Sequence, residues 1–92
     1  MIENFHHKGL KRFYEQGETW FLPAEQLDKI KRILSFLDSI QQPEDMNLPG
    51  FRFHQMTGNY KGFYSVTVTG NWRIIFRFQE GNVIDITYLD YH

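Results

Sequence analysis

The spacing of hydrophobic and polar positions changes about two-thirds of the way along the chain. Tyr64-Ser65-Val66-Thr67-Val68-Thr69 alternates apolar and polar in steps of two, which is the pattern of a half-buried strand. Gly70-Asn71 tolerate positive φ and mark a tight hairpin, after which Trp72 to Gln79 resumes the strand pattern. A second turn at Glu80-Gly81-Asn82 leads into Val83 to Leu89, rich in β-branched and aromatic residues. Phe51 to Met56 alternates too, and Thr57 to Gly62 has the Gly and Asn of an irregular turn. Upstream the period is helical. Leu10, Phe13 and Tyr14 precede a stop at Gly17, and a second helix opens with Pro23 in its first turn. Its stripe of Leu27, Ile30, Ile33, Leu34, Leu37 and Ile40 carries it to about Gln41. Pro43 to Gly50 reads as a loop, and Met1 to Phe5 as a short edge strand, with Asn4 placed to cap the first helix.

Helices first and hairpin-linked strands afterwards predict an α+β fold. Two N-terminal helices pack on one face of a C-terminal antiparallel sheet and leave the other face open. The 92 residues are expected to form one domain, 1–92, large enough to need no covalent staple. Cysteine is absent, and neither a signal peptide nor a membrane span is legible, so a soluble cytoplasmic protein without a membrane partner is expected. The adjacent His6 and His7 cannot both face one metal from a helix, and no metal or other cofactor is expected.

The net charge of −1 conceals an uneven distribution. Residues 1–45 hold eight of the eleven carboxylates, whereas 46–79 contain none and carry Arg52, Lys61, Arg73 and Arg77 beside His54 and eight aromatic rings. Cations among rings suit a single-stranded nucleic acid, although a small domain also needs most of those rings in its core. If the helices cover the face of Phe51, Phe53, Val66, Val68, Ile74, Phe76, Ile84 and Ile86, parity sends a second set to the open face. That set is Arg52, His54, Ser65, Thr67, Arg73, Arg77, Asp85 and Thr87, joined by Tyr91, and it suits a phosphate chain. Arg77 has a simpler role available, a surface ion pair with Asp85 across the hairpin. RNA can be cut without a metal when a base takes the 2′-hydroxyl proton, an acid protonates the departing 5′-oxygen and cations stabilise the phosphorane. Two histidines, His54 and His92, suit the proton transfers.

Several stretches resemble HigB-type toxins of the RelE/ParE superfamily. They are Gly58-Asn59-Tyr60-Lys61-Gly62, Tyr64-Ser65-Val66, Gly70-Asn71-Trp72-Arg73-Ile74-Ile75-Phe76 and the terminal Asp90-Tyr91-His92. The resemblance spans the chain. It implies a bacterial toxin that enters the A site of the 70S ribosome and cuts mRNA during translation, neutralised by a helix-turn-helix antitoxin of the HigA type. It implies that His54 and His92 are the acid and base, that Arg73 contacts the scissile phosphate, that Tyr91 stacks or orients, and that Asp90 positions its neighbours. Many relatives carry Lys where this chain has Thr57, and Arg where it has Tyr60. Phosphate stabilisation here is therefore expected to rest on Arg73, with Lys61 or Arg52 in support and weaker or differently targeted cleavage. Two other readings keep the fold: a ParE-like toxin acting on gyrase by protein contact, and a weak homologue serving mainly as antitoxin partner and co-repressor.

Overall fold

The computed structural model describes residues 1–91. Helix α1 runs Lys8–Gln16 and helix α2 Leu27–Leu37. They are followed by strands β1 (His54–Gln55), β2 (Tyr64–Thr69), β3 (Trp72–Gln79) and β4 (Asn82–Asp90). The sheet is antiparallel throughout in the order β1-β2-β3-β4, which is the expected α+β arrangement. The N-terminal segment lies parallel to the outer edge of β4, bridging Ile2 to Val83 and Phe5 to Ile86. Its backbone hydrogen bonds occupy an edge that would otherwise be open to another strand.

Local chemistry fixes where the helices begin and end. The His7 side chain, not that of Asn4, caps α1: its Nδ1 accepts from the Leu10 N–H at 3.1 Å. Asn4 instead accepts from the Asp85 N–H at 2.5 Å and so ties the N-terminal segment to β4. Gly17, at φ 73°, closes α1 in the left-handed conformation that glycine adopts without a Cβ clash. Pro23 is extended and precedes a 3₁₀ turn, Ala24–Gln26, from which α2 continues. α2 ends at Leu37, earlier than Gln41, because both the backbone N–H and the hydroxyl of Ser39 turn back to the Phe36 carbonyl. Ile40 still reaches the core from beyond the helix end. The expected loop after it contains a second 3₁₀ turn, Pro43–Met46.

Leu10, Ile30, Ile33, Leu34 and Leu37 from the helices meet Val66, Val68, Ile74, Phe76, Val83 and Ile86 from the sheet in one buried cluster. Of the eight rings in 46–79, only Phe51 and Phe76 are fully buried, while Phe53, Tyr64, Trp72 and Phe78 pack partly buried against that cluster. Two ring series align the strands. Phe53 stacks on Tyr64 at 5.7 Å and Tyr64 on Phe76 at 5.7 Å, whereas Trp72 stacks on Tyr88 at 4.8 Å. Rings held on the helix side send the intervening residues to the other side, and a slip of one residue would exchange the faces.

Two expectations about the strands fail for backbone reasons. The run Phe51 to Met56 shrinks to His54–Gln55 because Arg52 adopts φ 49°, which interrupts extended backbone just after Phe51 is buried. Parity in β4 reverses at Asp85, where φ is 55° and the register with β3 shifts between Ile75 and Arg77. This bulge keeps Val83 and Ile86 on the core side and puts Ile84 opposite Arg77 on the other side, so Ile84 and Ile86 do not share a face.

Candidate functional site

The face of the sheet away from the helices is built from two rows of side chains. His54 pairs with Ser65, Ser65 with Ile75, and Ile75 with Thr87. Two residues along, Thr67 pairs with Arg73 and Arg73 with Leu89. Strand spacing of about 4.8 Å and a rise of about 3.4 Å per residue put the Cα atoms of His54 and Arg73 roughly 12 Å apart.

This face is less open than parity alone suggests. Ser65 and Ile75 are buried to within 1% and Thr67 is 8% exposed. The cover is the segment after β1: the Tyr60 ring meets the Tyr91 ring beyond β4 at 6.0 Å, and the Phe63 ring lies 5.8 Å beneath the Arg77 guanidinium of β3. A segment that starts at β1 and touches residues of β3 and of the chain beyond β4 must cross the sheet. Below it, Met56 and Ile75 are buried yet stand apart from the main core cluster.

Arg73 is the best-held cation on this face. Its guanidinium donates to the Thr67 hydroxyl on the neighbouring strand, which fixes the direction of the side chain. Among the described residues, its buried Nε has no hydrogen-bond partner, and neither has the buried Ser65 Oγ in the adjacent row. Buried polar atoms are nearly always paired, so two unpaired ones on one face mark where a ligand's oxygens would fit. His54 is exposed, with Nδ1 3.2 Å from the Arg52 carbonyl oxygen. A carbonyl only accepts, so this contact assigns the proton to Nδ1 and the free lone pair to Nε2.

The other expected site residues separate into groups. Tyr91 is half-buried beside Tyr60, and its N–H donates to the Asn71 carbonyl at 2.8 Å. Asp90 pairs with Trp72, on the parity of Tyr88, and so lies on the helix side of the sheet rather than beside Arg73. Its charge is felt there, because Asp90 contributes after burial and Glu25 to pushing Tyr88 up to about 12. Arg77 forms the expected pair with Asp85 at 3.4 Å, and Asp85 also meets His6 at 3.0 Å. Lys61 is exposed and lines a hollow of about 580 Å³ with Gln55, Thr57, Gly58 and Tyr64. Arg52, expected on this face, has φ 49° and lies close enough to Lys29 of α2 for its charge to act on that amine. His92 lies outside the described residues. The alternating pattern had placed Thr67 on this face without showing that it holds Arg73, since only strand register makes them neighbours. Among the described residues, no three His, Cys, Asp or Glu side chains form a group able to hold a metal ion, and no helix is long and apolar enough to cross a membrane.

Comparison with known proteins agrees with this architecture. A family described as "RelE-like toxin of type II toxin-antitoxin system HigB" matches residues 3–92. The chain is 38% identical over 92 residues to a Proteus vulgaris protein named endoribonuclease HigB, with each covered in full. It is 35% identical over 94 residues to Toxin HigB-1 of Vibrio cholerae serotype O1, covering 100% of this chain and 98% of the other. Among solved structures, YafQ from E. coli strain BL21(DE3) superposes with a TM-score of 0.55 at 13% identity, over 96% of this chain and 91% of that one. A copper-bound mutant toxin from Helicobacter pylori gives 0.53 at 15% identity, over 100% and 96%. At such identities the structural likeness speaks to the fold alone.

Proposed function

The chain belongs to the RelE-like HigB toxins of type II toxin-antitoxin systems, and on that footing we propose that it is a ribosome-dependent endoribonuclease that cuts mRNA in the A site. A type II toxin implies an antitoxin partner, and the proposed partner is a helix-turn-helix protein of the HigA type. The name of the Proteus vulgaris relative supports the RNA-cleaving activity. The observation that carries the reading in this chain is Arg73, held by Thr67 with its buried Nε unpaired among the described residues, on the face that bears His54.

In the proposed reaction the Nε2 lone pair of His54 takes the 2′-hydroxyl proton. The 2′-oxygen attacks the adjacent phosphorus, and the bond from phosphorus to the 5′-oxygen breaks. His92 donates a proton to that departing oxygen, leaving a 2′,3′-cyclic phosphate and a 5′-hydroxyl end. Arg73 stabilises the charge that builds on the phosphorane oxygens, worth on the order of 10²–10³ in rate. Tyr91, beside Tyr60, offers a ring on which a base can stack, and Asp90 acts from the helix side by positioning the end of β4. With Thr57 and Tyr60 uncharged, the ribosome has to hold the message in place, which puts the reaction where translation occurs, in the cytoplasm.

Primer extension on mRNA carried by programmed ribosomes tests the proposal, with His54→Ala, Arg73→Ala and His92→Ala alongside the wild type. A-site breaks that disappear in the variants are the expected result. Toxicity in cells without any break would remove the nuclease and favour a ParE-like action on gyrase. No toxicity at all would favour a co-repressor.

A further inference from the structure

The left-handed turn at Arg52 has a consequence away from the sheet. Lys29 and Arg32 of α2 both lie 5.8 Å from the centre of the Phe51 ring, one residue before Arg52. Lys29 also donates from Nζ to the Gly50 carbonyl at 2.9 Å, so it is fixed against the same turn. Arg32 and Arg52 are exposed, and among the described residues no carboxylate lies within 4 Å of any of the three cations. Such crowding is unfavourable in the free protein. Lys29 is held below its ordinary value by burial first and then by the charges of Arg32 and Arg52. Arg52, a non-glycine residue at φ 49°, also carries backbone strain at this turn.

Three like charges at one place, without a carboxylate beside them among the described residues, are suited to a compensating anion. The cluster is also joined to the candidate site, because the Arg52 carbonyl contacts the His54 ring. Phe36 packs edge-on against Phe51 and leaves 42% of its surface exposed beside the cations, a face on which a base can stack. From this geometry we infer that Lys29, Arg32 and Arg52 form a second RNA site, which binds backbone phosphates beyond the bond being cut. The inference rests on the RNA-cleaving reading above. Messenger flanking the cut and ribosomal RNA offer the same phosphates, and the experiment separates them.

The test measures binding of the full chain to 70S ribosomes, programmed and vacant, over a range of salt. Arg32→Gln combined with Arg52→Gly removes two charges while giving position 52 the residue that suits its φ. Losing two phosphate contacts is expected to weaken binding about 10-fold near 0.1 M salt, and to flatten the log–log salt slope by about 1.4–1.8. Arg32→Lys should retain most of the affinity, and Lys8→Gln with Lys11→Gln on α1 should leave it unchanged. A loss on vacant ribosomes as well identifies ribosomal RNA as the phosphate source, and a loss confined to programmed ribosomes identifies the messenger. Unchanged affinity and slope in both, with wild-type cleavage intact, would overturn the inference, as would weakening of antitoxin binding alone. If the wild type makes no cut, the proposed function fails by itself. The same titration on a fluorescent single-stranded RNA then decides the cation site, with loss supporting it and no loss ending it.

Discussion

The two faces of the sheet follow different rules. On the helix side Val66, Ile74, Phe76, Val83 and Ile86 are all fully buried, and the polar Tyr88 and Gln26 satisfy one another. The other side holds buried polar atoms without partners among the described residues, a guanidinium directed by one hydroxyl, and a histidine in solvent. A face optimised for stability leaves no polar atom unmet, whereas a face prepared for a ligand must. The first side builds the fold, and the second carries the proposed site.

Substitutions should therefore separate by face. Phe76→Ala, on the helix side and fully buried, is expected to cost about 3–5 kcal/mol in urea unfolding, a large share of the total stability of a domain this small. Arg73→Ala should reverse the balance. Cleavage on programmed ribosomes is expected to fall by about 10²–10³-fold, with an unfolding midpoint close to wild type. Equal losses of stability in the two variants would remove the distinction between faces.

Ile75 sharpens the comparison because it faces the candidate site and is nevertheless buried. Ile75→Ala is expected to cost about 2–3 kcal/mol, the low end for such a truncation, since a single crossing segment covers it. Its activity should fall with the position of that segment. If calorimetry shows no loss of stability, residues 57–63 do not form a second small apolar layer.

The fold was largely legible in the sequence because its signals are local and repeated. The stripe of α2, the Gly70-Asn71 turn and the alternation in Tyr64 to Thr69 each specify an element without distant partners. What escaped depended on backbone angles that no period reveals. Arg52 is not a residue type that announces positive φ, and Asp85, which tolerates it, sits inside a strand pattern, yet one delays the start of β1 and the other reverses the parity of β4. The site was legible in part for the same reason. Alternation placed His54, Thr67 and Arg73 on one face, but it could not show that Thr67 holds Arg73, or that Asp90 lies on the other side.

Tyr88 tests the completeness of pairing on the helix side. Its hydroxyl donates to the buried Gln26 side chain, so Tyr88→Phe leaves Oε1 of Gln26 without that donor, at about 1–3 kcal/mol. Burial, Glu25 and Asp90 push the tyrosine up to about 12, above its ordinary value of 10. Its share of the stability is therefore fully present below pH 10 and is lost as pH climbs through about 12. The phenylalanine variant should unfold less steeply across that window.

The smallest expected effect concerns the supporting histidine, His7, and it opposes the role proposed for His54. His54 has to exchange a proton, whereas His7 has to avoid gaining one. Its Nδ1 must keep a lone pair for the Leu10 N–H, and its ring sits edge-on against Tyr88 at 5.4 Å. Burial lowers its tendency to protonate from the ordinary value of 6.5. Above that pH the histidine is neutral both folded and unfolded. As pH falls through it, the unfolded chain takes up a proton that the folded chain resists, and stability drops until pH passes the lower folded value. Asparagine caps a helix without titrating, so His7→Asn should preserve most of the stability near pH 7.5 and lose less of it on acidification. A difference of about 0.5–1 kcal/mol between the two proteins is expected by pH 5, read from urea midpoints. The remaining histidines are common to both proteins and cancel in that difference. Parallel acid responses would mean that the His7 cap does not depend on its lone pair, and that its hydrogen bond to Leu10 does not govern the start of α1.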